Sequence, residues 1–153
     1  MIEEPPSTSP ESKKGLGFFK KIKLFDIDRV IFLDPLSRDN YINHLGTSSV
    51  LLDPLYFGAG NSFHESMVYG TPTVTMPTKF IKSRIVSAAY MQMEIEKPPI
   101  VKNKNEYVEL AIDIANSDNL LEIKKYYQKK ANEKLFNTTK AGEEFNQILL
   151  GLE

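Results

Sequence analysis

The sequence predicts an α/β fold organised on a parallel sheet. Three observations carry this. Apolar runs of strand length recur at residues 29–33, 49–53 and 73–76, with segments of helical periodicity between them, the alternation expected of strand–helix–strand units. A glycine turn, Gly58-Ala59-Gly60, leads from the second run into the next helix. The final third carries helical periodicity alone.

Taken in order, residues 1–15 are rich in proline, serine and charge and are expected to be disordered. Residues 16–153 are expected to form one domain, starting with a short helix near 16–25 that carries Leu16, Phe19 and Ile22 on one side. Arg29–Leu33 is β-branched and aromatic, so it reads as a parallel strand buried on both faces and ended by Pro35. Ser37 is a cap for a helix over 37–45, with Tyr41, Ile42 and Leu45 at helical spacing. The second strand is 49–53. A helix over 62–69 is stopped by Gly70 and Pro72, and Thr73–Met76 is the third strand. A helix over 82–93 and a short strand at Ile100-Val101 follow.

Tyr107, Leu110, Ala111 and Ile114 have i, i+3, i+4, i+7 spacing, and Phe145, Ile148, Leu149 and Leu152 repeat it. Between them lies a charged helix over roughly 118–134. The sheet counted this way has about four strands, fewer than the mean of about five to six. Strands ahead of Arg29 are therefore expected to be missing.

Composition excludes several classes of function. With 153 residues, 41% of them hydrophobic, the chain suits a single domain with a real core. A net charge of −1 leaves no basic excess to neutralise phosphates, which argues against nucleic acid as the main partner. Local lysine clusters read as solvated helix faces. The absence of cysteine rules out disulfides and thiolate catalysis and suits a reducing compartment. His44 and His64, the two histidines, lack metal-ligand spacing. No apolar run has membrane-spanning length and no signal peptide opens the chain, so a cytoplasmic protein without a membrane partner is expected.

In open α/β sheets, ligands bind beyond the carboxyl ends of the strands, where Asp53, the Gly58–Ser62 loop and Pro77 are expected to fall. Gly58 and Gly60 let the backbone approach an anion with no Cβ in the way. Amides at Asn61 and Ser62, helped by the helix dipole, suit a diphosphate. Glu65, one turn in, can accept hydrogen bonds from ribose hydroxyls. Ser62-Phe63-His64-Glu65 is also an S-x-x-E capping box, and spacing alone favours that plainer reading. No lysine follows Gly60, so this is not the phosphate loop of kinases and ATPases.

Several motifs fall in one order and spacing: Arg29–Leu33, Ser37-Arg38-Asp39, Leu52-Asp53-Pro54, Phe57–Ser62 with Glu65, Gly70–Pro77, Arg84, Glu106–Ala111 and Leu135-Phe136-Asn137-Thr138. Together they resemble the C-terminal half of the O-linked N-acetylglucosamine transferases and their SPINDLY-like bacterial relatives, over roughly residues 16–150. The resemblance implies a Rossmann-like sheet forming the C-terminal half of a GT-B glycosyltransferase, here with its first strands missing. It implies an inverting, metal-independent transferase that takes a UDP-sugar as donor and needs no other cofactor.

By position, Gly60, Asn61 and Ser62, with Gly58 in the same loop, match the segment against the diphosphate, and Glu65 matches the ribose ligand. Arg38 matches a basic residue that contacts the nucleotide; a plain exposed arginine is the other reading. Tyr41 falls where a ring packs on uracil, balanced evenly against a core aromatic. Arg84 is given no ligand contact. The acceptor-binding half, with its catalytic side chains, is not among these residues, and Thr78 stands where many relatives have glycine. The chain is thus expected to be the donor-binding part of a transferase that moves N-acetylglucosamine to a protein, inactive alone, with a companion chain supplying the acceptor half. The alternative is a degenerate Rossmann-like module, non-catalytic and kept for protein interaction, or a gene fragment.

Overall fold

The computed structural model describes residues 30–151. The expected disorder over 1–15, the helix near 16–25, and positions Arg29 and Leu152 lie outside them. The chain divides into two compact units between Tyr41 and Ile42.

In the first unit, residues 30–33 form no strand, and Val30, Ile31 and Leu33 are exposed, Ile31 to 79%. This corrects the expected buried strand. A parallel strand covered on both faces hides its side chains from water, and these three do not. Helix α1, Arg38–Thr47, starts after Ser37 as expected. The Ser37 carbonyl accepts the Tyr41 N–H at 2.9 Å, and its hydroxyl accepts a longer bond from the Asn40 N–H, 3.4 Å.

In the second unit, β1 (Leu51–Leu52) pairs in parallel with β2 (Thr73–Val74), Leu51 opposite Thr73 and Leu52 opposite Val74. Both strands are shorter than the apolar runs that announce them. Tyr90 explains part of this. Its hydroxyl accepts the Thr73 N–H at 2.8 Å and donates to the Thr73 carbonyl at 3.0 Å, so a side chain occupies a place where a neighbouring strand would pair. Pairing with the next segment begins only at Thr75, whose N–H donates to Pro99 and whose carbonyl accepts from Val101, both at 3.0 Å. The expected strand at 100–101 is therefore a single parallel bridge, Thr75 to Ile100.

The core lies between α2 (Gly60–Met67) and α3 (Ile85–Gln92), closed by the charged helix α5 (Leu120–Lys130). Phe63, Met67, Val86, Tyr90 and Met93 are fully enclosed. Phe63 and Tyr127 each meet the Tyr90 ring edge-on, with centroids 5.2 and 5.7 Å away, the favoured geometry for ring quadrupoles. Between α3 and α5, helix α4 (Lys104–Ala115) is capped by Asn103, whose side-chain oxygen accepts the Glu106 N–H at 3.0 Å. The helix expected over 118–134 widens into a π-type turn at Ala131–Leu135, and α6 (Thr139–Leu150) follows. No helix among the described residues is long and apolar enough to cross a membrane.

Candidate functional site

The Gly58–Ser62 loop lies at the carboxyl end of β1, within the second unit. Gly58 has φ +82° and is buried; a Cβ there would run into the Lys82 carbonyl. Its glycine is therefore a requirement of the fold. Gly60 differs: a Cβ would touch only the end of Ile85, at 3.7 Å, an ordinary contact. Nothing within the described chain demands glycine at position 60.

Helix α2 begins at Gly60, two residues earlier than expected, with Ala59 as its cap and no side-chain cap bond. Ser62 therefore lies inside the first turn, and the capping box with Glu65 does not form. The physical reason is Asp53. Its Oδ1 accepts the Ala59 N–H at 2.6 Å, its Oδ2 accepts the Thr75 hydroxyl at 2.5 Å, and only 3% of the residue is exposed. The Asp53 backbone carbonyl takes a further bond from the Tyr107 hydroxyl, 2.8 Å. Burial lifts the Asp53 carboxyl above the usual carboxylate range, and the bonds from Thr75 and Ala59 partly oppose that.

The loop's other amides divide cleanly. Gly58 N–H donates to Pro54 at 3.1 Å, and Phe63 N–H donates to Ala59 at 2.6 Å. The Gly60 and Asn61 amides have no partner among the described residues. They are orphan donors at a helix start, where the dipole is positive. Asn61 is exposed and Glu65 half-buried.

A second loop braces the first. The Thr78 N–H donates to the buried Ser83 hydroxyl at 3.0 Å, the two hydroxyls lie 2.6 Å apart, and Ser83 also donates to the Phe80 carbonyl at 2.8 Å. This knot carries the Lys82 carbonyl that covers Gly58. On the rim Phe57 is 71% exposed, with the Lys82 ammonium 5.6 Å from its ring centre.

Gly58, Gly60, Asn61, Ser62 and Glu65 are thus gathered around the start of α2. Arg38 and Tyr41 share one turn of α1 in the first unit, Arg38 exposed and Tyr41 half-buried. His64 holds a packing position, its Nδ1 2.8 Å from the Gly60 carbonyl and its ring edge-on to Phe63. It also lines an open groove of about 610 Å³ with Ile81, Arg84, Ile85, Ala88 and Met91. That groove contains none of the loop residues. The sequence places Asp53 at the strand end but not its bonds to Thr75 and Tyr107, because a buried acid meets its partners only when distant segments come together.

A family model described as glycosyl transferase family 41 matches residues 17–145. Among solved structures, the chain is similar to an O-GlcNAc transferase from Thermobaculum terrenum, solved as a point mutant, with TM-score 0.74 and 15% identity. The match covers 91% of this chain and 28% of that one, so the chain spans well under a third of the relative's length. At this identity the likeness is one of fold, and it agrees with the expected α/β class of GT-B type. No curated protein matches the chain.

Proposed function

The chain belongs to glycosyl transferase family 41, and from that premise we propose that it is the donor-binding part of a transferase that uses a UDP-sugar. The observation that carries the reading is local. Two amides without a partner among the described residues, Gly60 and Asn61, open a helix, and Glu65 follows one turn later. A diphosphate takes the amides, and the positive end of the helix dipole offsets charge that develops as it leaves. The Glu65 carboxylate takes ribose hydroxyls. The family resemblance adds Arg38 and Tyr41, on α1 of the first unit, as proposed nucleotide contacts. Glycine at 60, unexplained by packing, leaves the backbone open to close approach by a ligand.

Chemistry at such a site is displacement at the anomeric carbon. An acceptor hydroxyl attacks and releases its proton to solvent, the bond to the diphosphate breaks with inversion, and UDP departs with the bonding electron pair. The proposed transfer delivers N-acetylglucosamine to a protein. The test is calorimetric titration with UDP, with GDP as control. Saturable UDP binding with weak GDP binding, reduced at least about tenfold (about 1.4 kcal/mol) in Glu65→Ala and in Arg38→Ala, is expected. Unchanged UDP affinity in both variants removes the site assignment.

A second reading, an interaction module without catalysis, draws on the exposed apolar residues of α6, namely Phe145, Ile148 and Leu149. A folded chain that binds no uridine nucleotide would favour it.

A further inference from the structure

We propose that Asp53 is a positioning residue for the diphosphate: it shapes the Gly58–Ser62 loop through the Ala59 amide and so aims the Gly60 and Asn61 amides outward. The inference rests on the donor-site reading above and extends it to a residue outside the family-matched contacts.

The geometry is specific. A chain leaving β1 must reverse into α2 within seven residues, Asp53 to Ala59. Two bonds set that reversal. Gly58 N–H turns back to the Pro54 carbonyl, and Ala59 N–H turns inward to Asp53 Oδ1 at 2.6 Å. With the Ala59 amide held inward, the next two amides of the helix start have no acceptor among the described residues. The carboxylate is itself held by the Thr75 hydroxyl, on the segment that continues β2. Its position is therefore tied to the sheet and not to the loop it shapes. A buried acceptor that receives a backbone N–H costs the fold when removed, because that N–H is left unpaired. Loosening here would act first on the amides next in line, and only weakly on residues that meet the nucleoside.

Asparagine is the informative substitution. In Asp53→Asn the side-chain oxygen can still accept the Ala59 N–H, and the amide nitrogen can donate to the Thr75 oxygen, which keeps the geometry without the charge. Asp53→Ala removes both. Thr75→Val removes only the outer support and keeps the shape of the side chain. That variant covers the case in which Asp53→Ala fails to fold.

The experiment titrates UDP and uridine into native chain, Asp53→Asn, Asp53→Ala and Thr75→Val, with amide hydrogen exchange on each. Expected is a loss of UDP affinity of tenfold or more in Asp53→Ala, with uridine affinity within about threefold of native. Thr75→Val should show a smaller loss in the same direction, and Asp53→Asn should stay within about threefold for both ligands. Exchange at the Ala59 amide should accelerate in Asp53→Ala while Phe63, Met67 and Tyr90 stay protected. Equal losses of UDP and uridine, or loss in Asp53→Asn as large as in Asp53→Ala, would overturn the positioning role. If native chain binds neither ligand, the donor reading fails separately. Exchange then decides the positioning claim: local acceleration in Asp53→Ala, absent in Asp53→Asn, sustains it, and unchanged exchange removes it.

Discussion

Enclosure lifts the Asp53 carboxyl above its ordinary value of 3.8, and the bonds from Thr75 and Ala59 pull it partly back. Because the folded-state value is the higher one, protonation favours the folded chain. That contribution is complete below about pH 3.8 and is lost as pH rises through the folded-state value. Relative to Asp53→Asn, which cannot titrate, the native chain should gain stability as pH falls from about 7 toward about 4. Urea unfolding midpoints across that range measure it, and a difference that does not change with pH would contradict the assignment. The candidate donors and Glu65 were legible because they lie in one stretch, where a glycine turn before a helix has one local meaning. Asp53 reads in sequence as an acid at a strand end. Its partners lie 6, 22 and 54 residues away at Ala59, Thr75 and Tyr107, and no spacing rule joins them.

Among the elements, the end of α2 shows where local signals suffice. Gly70 has φ +66°, its N–H donates to Met67 at 3.1 Å and the Thr71 N–H donates to Ser66 at 3.1 Å. These are the paired bonds of a Schellman stop, and the sequence placed the stop there. A Cβ at Gly70 would also collide with the Lys124 carbonyl of α5. Gly142, inside α6, has open space around it. Gly70→Ala should therefore lose more than about 1–2 kcal/mol, the left-handed backbone cost alone. Gly142→Ala should gain about 0.5–1 kcal/mol. Thermal unfolding of both variants checks the pair; similar shifts in the two would contradict this account. Strand lengths were less legible. Apolar runs at 49–53 and 73–76 mark the right segments, yet pairing covers two residues of each. Which residues pair depends on what lies alongside, and at Thr73 that is a tyrosine hydroxyl from α3.

For the whole molecule, the periodic faces of α4 and α6 look alike in sequence and meet different fates. Tyr107, Leu110, Ala111 and Ile114 are half-buried, whereas Phe145 and Ile148 are each 62% exposed. An apolar helix face left in water promotes association. Ile148→Lys with Leu149→Glu should raise the concentration at which the chain self-associates, read by light scattering. Its thermal midpoint should hardly move, since exposed substitutions cost within about 0.5 kcal/mol. Unchanged association, or a large loss of stability, would show that this face is packed in solution. By itself the sequence determined the α/β class, the order of helices along 37–150, the glycine stop at 70 and the glycine turn that leads into α2. Each follows from backbone geometry acting over a few residues. Tertiary structure alone decided that 30–33 forms no strand, that Asp53 rather than Ser62 secures the start of α2, and that Gly58 but not Gly60 is fixed by packing. Those outcomes depend on hydrogen-bond partners and excluded volume supplied from far along the chain, which periodicity and spacing do not encode.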